Sequence, residues 1–332
     1  MLSVTSVDSA PKTVRLIAPD TPLDIAEQIR YTDDPTDFSQ SVLTDIELMG
    51  IHLPPRKFII EDLVVEGTIT IVNGYRGGGK SWFVQSMANE VSWGGKIGPW
   101  SVPTPVNSLI IDGEMPISLL QERFALMNMG RSFKDKPSSL FVYPEAYAYR
   151  IGLKRANILD AEWRNSISDI IYSNNIKFLV IDNLSSLAPG IDENDKMPFD
   201  PVNRWMLELR FHGVAIVITH HTGKGGEQRG TSAHEDHVDV SLLLGKPRGY
   251  NPSMGCKFTV KTTKDRAYVI RGETFTLQLA PNEYNGMEIV ARENKEQAVK
   301  ANPDLTYKEA ADMGISHRTF YRGRGKNNAN KN

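Results

Sequence analysis

The alternation of apolar and polar residues divides the chain into short apolar runs separated by longer amphipathic stretches. Thr68–Val72, Asn107–Ile111, Leu140–Tyr143, Lys177–Ile181 and Val214–Ile218 are short and largely β-branched or aliphatic, which suits strands buried on both sides. Between them Trp82–Val91, Ile117–Met127, Asp160–Tyr172 and Pro198–His212 carry helical spacing, the first closed by Gly94-Gly95. Buried strands alternating with helices predict an α/β fold: a mostly parallel sheet with helices on both faces. After Ser241 the rhythm changes. Lys257–Thr263, Tyr268–Ile270 and Thr274–Leu279 read as antiparallel strands, joined by turns such as Arg271-Gly272-Glu273, that extend one edge of the sheet.

The ends read differently from the middle. Residues 1–20 are polar and aperiodic, the pattern of a disordered leader. Two weaker helical patterns, Leu23–Ile29 and Phe38–Met49, flank Asp33-Asp34-Pro35, and Pro54-Pro55 marks a boundary. Residues 1–54 therefore form an acidic arm, read either as a disordered leader or as a segment that packs on a neighbouring subunit. Residues 55–280 form the sheet domain. In 281–332, Thr306-Tyr-Lys-Glu309 is a capping box, a turn falls at Met313–Ile315, and Ser316–Arg322 reads as a second helix. This resembles half of a helix-turn-helix with Arg318 and Arg322 on its recognition helix, and Glu293–Ala301 is a candidate third helix. A helical pair packing on the sheet domain is the alternative. The end beyond Gly323 reads as a flexible basic tail.

Composition changes this picture little. Hydrophobic residues at 40% and charged residues at 23% are ordinary for a globular protein. The net charge of −2 conceals an asymmetry: residues 20–50 hold eight acids and one base, whereas 313–332 hold five Lys or Arg and no acid. Any polyanion contact is expected to be local. One cysteine, Cys256, excludes an intramolecular disulfide and suits a cytoplasmic protein. No signal peptide and no membrane-length apolar run is recognisable.

The candidate chemistry is concentrated at strand ends. Gly74-Tyr75-Arg76-Gly77-Gly78-Gly79-Lys80-Ser81 fits the phosphate-loop pattern, with a strand before it and a helix beginning at Trp82 after it. Such a loop closes backbone N–H groups around a β-phosphate at a helix N-terminus. Lys80 is placed to bridge β- and γ-phosphates of ATP, and the Ser81 hydroxyl to hold Mg2+. In a parallel sheet ligands sit at the carboxyl ends of the strands, so Glu114, Asp182 and His221 are expected near the phosphates. Asp182, after four apolar residues, suits the magnesium carboxylate; Asp112 is an alternative. The residue after Asp182 is Asn183, not the glutamate that AAA+ ATPases carry there. That leaves Glu114, on another strand, as the base that activates water. His220 points to the opposite face of its strand and reads as structural. His234-Glu-Asp-His237 lacks a third ligand at defined spacing and reads as a polar helix start rather than a metal site.

The series Gly-Gly-Gly79-Lys-Ser, Ile-Ile-Asp-Gly-Glu114-Met-Pro, Leu-Val-Ile-Asp182-Asn, Thr-His-His221-Thr-Gly-Lys-Gly and Arg229-Gly-Thr-Ser resembles that of RepA-type plasmid replicative helicases, RecA-like ATPases related to the DnaB motor domain. The resemblance covers roughly residues 55–280 and implies a homo-oligomeric ring, a hexamer, with ATP at subunit interfaces. It places Lys80, Ser81, Glu114 and Asp182 in the roles given above and makes His221 the sensor of the γ-phosphate, although a simple hydrogen bond to a neighbouring strand end remains open for it. It also implies a cation supplied in trans, for which Arg266, or else Lys264, occupies the matching place after a late strand; a solvated hairpin tip is the alternative. Single-stranded DNA would run along Ser185–Asp200 and Thr222–Ser232, where Lys224 and Arg229 suit phosphate contacts and Phe199 is the one aromatic, while Asp192, Glu193 and Asp195 oppose them. Two other readings stay open: a KaiC-like or recombinase-type ATP switch, and a DNA-binding regulator.

Overall fold

The structure, a computed structural model, describes residues 36–51, 55–188, 199–221, 237–266, 274–292, 304–312, 317 and 320–321. The chain separates into two units, residues 1–56 and 57–332. In the first, the stretch read as one helical pattern is split into a 3-10 turn, Phe38–Ser41, and a helix, Asp45–Gly50. The break has a local cause. The Thr44 hydroxyl accepts from Glu47 N–H and the Glu47 carboxylate accepts from Thr44 N–H, a capping box that starts a new helix inside the apolar pattern. The Leu23–Ile29 pattern lies outside the described residues.

The second unit begins with the short antiparallel pair β1 (Phe58–Ile60) and β2 (Val64–Val65), then the loop-bearing strand β3 (Ile69–Gly74). A second small pair, β4 (Lys96–Ile97) and β5 (Trp100–Ser101), precedes β6 (Ser108–Asp112), β7 (Leu140–Pro144), β8 (Phe178–Asp182) and β9 (Ala215–His221). Next come β10 (Val240–Gly245), β11 (Lys257–Asp265), β12 (Thr274–Pro281) and β13 (Met287–Arg292). The described residues build one nine-stranded sheet in the order β13-β12-β11-β10-β3-β9-β8-β6-β7. From β10 to β7 neighbouring strands are parallel; β11, β12 and β13 add antiparallel pairs at one edge. This is the mostly parallel α/β architecture, with antiparallel strands at one edge, that the residues predict.

Two features depart from expectation. Val240–Gly245, not assigned from the sequence, is a parallel strand seated directly against β3, with Leu244 opposite Gly74. The sheet also runs past residue 280 through β13. Tyr268–Ile270 and Glu293–Ala301 lie outside the described residues.

Side-chain alternation builds two cores. On one face Val72, Ile110, Val180, Val217 and Leu242 pack beneath helix Lys80–Trp93, which contributes Phe83, Val84, Met87 and Val91. On the other, Ile71, Ile111, Ile181 and Ile218 meet helices Ala161–Ser173 and Asp200–Phe211. Helix Lys80–Trp93 is therefore sandwiched between sheet and surrounding chain, and it stops at Gly94, whose left-handed φ of 72° lets its N–H close on Glu90 O. Because the central strands are parallel and in register, with Gly74 opposite His221 and Asp112 opposite Asp182, their polar ends collect at one edge. Separately, helix Tyr307–Asp312 begins with the expected Thr306–Glu309 capping box, and Leu305, Ala310 and Phe320 form a small cluster. Among the described residues no helix is long and apolar enough to cross a membrane.

Phe83 anchors the loop-bearing helix, fully buried between Trp100 and Phe258 at ring separations of 6.1 and 5.8 Å. Phe83→Ala is expected to destabilise the second unit by about 3–5 kcal/mol, read as a lower midpoint in urea unfolding.

Candidate functional site

The carboxyl ends of β3, β6 and β9 open onto a cleft of about 760 Å³, lined on one side by Arg76 through Trp82 and on the other by Glu114, Met115, Arg123 and His221. The residues joining β10 to β11 (Tyr250, Pro252, Gly255 and Cys256) close the third side. The loop is shaped by glycines where nothing larger fits. Gly79 has φ 90°, and a Cβ there would sit 2.7 Å from the Phe258 ring. A Cβ on Gly74 would lie 2.9 Å from the Leu244 carbonyl oxygen. With no side-chain cap on Gly79, the first N–H groups of the fourteen-residue helix Lys80–Trp93 face the loop. An uncapped helix start above a glycine cradle fits a phosphate.

The Lys80 side chain is folded back into its own loop. Its ammonium donates to Gly74 O at 2.7 Å and Tyr75 O at 3.0 Å, and lies 3.0 Å from His221 Nδ1. Burial lowers its pKa to about 8, against the opposing pull of the Asp182 and Glu114 carboxylates. His221 is the hub of the polar edge. Its Nε2 lies 3.9 Å from Glu114 Oε1 and 3.2 Å from Asn183 Nδ2, and Asn183 Oδ1 is already committed to Ser186 N–H. An imidazole that accepts from Lys80 carries its proton on Nε2, which then faces Glu114 beyond hydrogen-bond distance and cannot accept from Asn183. The ring thus meets one donor too many while Lys80 rests there.

Asp182 is buried behind Ser81. Its carboxylate accepts from the Thr219 hydroxyl at 2.6 Å and from the Ser81 hydroxyl, yet burial still pushes its pKa up. Ser81 and Asp182 form a hard-oxygen pair of the kind that takes Mg2+ together with phosphate oxygens and waters. Asp112, the alternative magnesium residue, is turned elsewhere. Its Oδ1 accepts from the backbone N–H groups of Glu114 and Met115 at 3.1 and 2.7 Å, so it folds the loop that presents Glu114. Burial raises its pKa to about 6, helped by the nearby Asp182 charge.

Of the residues singled out from the sequence, Arg76–Trp82, Glu114 and His221 line this cleft. Gly74 and Tyr75 hold the Lys80 ammonium, and Asp182 stands one layer behind. Arg266 and Lys264 are elsewhere. Ser241 pairs with Lys264, and Arg266 N–H bonds Asp239 O, at the amino end of β10, whereas the loop faces its carboxyl end, about 13 Å away along the strand. They cannot serve the cleft of their own chain. Lys224, Arg229, Arg318 and Arg322 lie outside the described residues, as do most of Ser185–Asp200 and His234–Asp236. Among the described residues no cluster of His, Cys, Asp or Glu could hold a metal unaided. Arg123, Thr219 and the loop-folding role of Asp112 carried no signal in the sequence, because single residues on a helix, a strand and a turn match no spacing pattern.

A glycine loop and an uncapped helix N-terminus at the carboxyl edge of a parallel sheet define an α/β P-loop NTPase core. The chain belongs to the AAA domain family, which it matches over residues 32–227, more than half its length. No curated protein matches it. Among solved structures it is similar to a KaiC-like protein of the hyperthermophilic archaeon Pyrococcus horikoshii, with 18% identity and a TM-score of 0.46 over 69% of this chain and 91% of that one.

The raised Asp112 pKa has a stability consequence. Between about pH 4 and 6 the folded protein retains a proton that the unfolded chain has lost, so Asp112 costs stability as pH rises through that window. Asp112→Asn is expected to remove this component, worth up to about 3 kcal/mol, so the variant gains on the wild type between pH 4 and 7 in parallel denaturation curves.

Proposed function

We propose that the chain is an ATP-hydrolysing, ring-forming DNA motor, a replicative helicase of the RepA type. In this reading Lys80 leaves the Gly74 and Tyr75 carbonyls for the β- and γ-phosphates of ATP, while the glycine-loop and helix N–H groups cradle them. Ser81 and Asp182 hold Mg2+, which supplies charge neutralisation on the phosphate oxygens. Glu114, exposed to the cleft and beside His221, accepts the proton of the attacking water. His221 loses its Lys80 contact when the triphosphate is present and so reports occupancy to the segment that follows β9.

The observation that carries the ring is the separation of Arg266 from its own cleft. If Arg266, or Lys264 beside it, stabilises transition-state charge, it would do so at a neighbour's site, since both stand at the amino end of β10. A single strand of DNA would be held by Lys224 and Arg229, with the segment bearing Arg318 and Arg322 as a second contact and residues 1–54 as the arm between subunits. The absence of a glutamate at Asn183 supports the division of labour between two strand tips, Asp182 for the metal and Glu114 for water. A cytoplasmic location accords with this role.

Lys80→Ala is expected to abolish hydrolysis, and Glu114→Gln to keep ATP bound while lowering kcat at least about a hundredfold; unchanged turnover in either would remove the assignment. Mixing Arg266→Ala with Lys80→Ala subunits should restore part of the activity, since some interfaces then pair an intact loop with an intact finger. Strand displacement on a forked duplex tests the motor itself. ATP hydrolysis without displacement would favour an ATP switch, and a footprint on one sequence that vanishes on removing residues 300–332 would favour a regulator.

A further inference from the structure

Helix Ile117–Met127 carries Arg123 onto the cleft wall opposite the glycine loop. Its guanidinium lies over the Trp82 ring at 4.6 Å, and Nη1 donates to Gln85 Oε1 at 3.2 Å. Gln85 is fully buried in helix Lys80–Trp93, and its amide nitrogen is engaged by Met115 Sδ at 3.2 Å, so its oxygen is a fixed bracket. Among the described residues no carboxylate stands within ion-pair distance of Arg123; the Asp112 and Asp182 charges reach it only from further off. Two other half-buried arginines have a carboxylate, Arg131 pairing with Glu90 at 2.8 Å and Arg210 with Asp239 at 3.2 Å, and Arg164 is capped by the Ile158 carbonyl rather than facing a cleft.

A guanidinium has five N–H donors, and a half-buried one without an anion is costly to maintain. The Trp82 stack and the Gln85 bracket fix the plane of Arg123 while spending one donor, which leaves the fork available to the cleft. A fork of this shape matches two oxygens of one tetrahedral anion. We propose that Arg123 is a phosphate-binding residue of this cleft, contacting the nucleotide from its own chain alongside Lys80. The inference rests on the nucleotide reading above. It adds a second cation in cis, mounted on the helix whose leading loop presents Glu114, so that a phosphate contact at Arg123 and the placement of Glu114 are mechanically linked.

The test is calorimetric titration of the full chain with a non-hydrolysable ATP analogue and magnesium, using wild type, Arg123→Gln, Arg123→Lys and Lys80→Ala. Loss of a charge-assisted contact predicts binding about tenfold or more weaker in Arg123→Gln, partial recovery in Arg123→Lys, and ligand-free melting temperatures equal to wild type. A stacking role alone would move the melting temperature and leave affinity in place. Affinity within about twofold of wild type in Arg123→Gln, while Lys80→Ala loses binding, overturns the proposal and spares the nucleotide site. Wild-type affinity in Lys80→Ala would instead remove the nucleotide reading. Should the glutamine variant not fold, Arg123→Lys decides: it keeps charge but not the fork, so weakened binding with an unchanged melting temperature supports the contact and wild-type affinity refutes it.

Discussion

The site depends on where the Lys80 ammonium is held. A buried cation requires partners, and here they are two carbonyls from Gly74 and Tyr75 and a ring nitrogen from His221. Burial nonetheless leaves its pKa depressed to about 8. A triphosphate offers full negative charge in place of neutral acceptors. The preference of Lys80 for phosphate over carbonyl is therefore a free-energy difference that every neighbour of Lys80 shares.

In the proposed reading His221 would transmit that difference, since it touches Lys80 through one nitrogen and faces Glu114 and Asn183 through the other. Asp112 works from the opposite side, folding the backbone that carries Glu114. Metal carboxylate and candidate base thus stand on adjacent strand tips, held by different backbone constraints. The Asp182 layer is rigid, buried and bonded to Thr219 and Ser81, whereas Glu114 is largely exposed and awaits its substrate. Under the proposed roles, a buried magnesium ligand and an exposed base would suit a reaction that begins only when nucleotide is in place.

Much of the sheet was legible in the residues because its central strands are buried on both faces. Such strands are largely apolar, and the first four are each followed by a stretch of helical spacing. Val240–Gly245 escaped because an antiparallel strand, not a helix, follows it, so nothing marked it as parallel. Met287–Arg292 escaped because edge strands mix exposed and buried positions. The glycine loop is contiguous and was read whole. What no pattern shows is orientation: that Lys80 turns inward, that Asp112 caps a turn while Asp182 faces Ser81, and that Arg123 leans over Trp82. Those depend on residues brought together from four strands and two helices, and no spacing in the chain encodes them.

The central claim is that the ammonium of Lys80 exchanges loop carbonyls for phosphate. Crystals grown with magnesium and a non-hydrolysable ATP analogue test it directly. The account predicts Lys80 Nζ within hydrogen-bonding distance of the β- and γ-phosphates, released from Gly74 O and His221 Nδ1. A nucleotide bound with Lys80 still clasped by those groups, or bound away from the glycine loop, would contradict it.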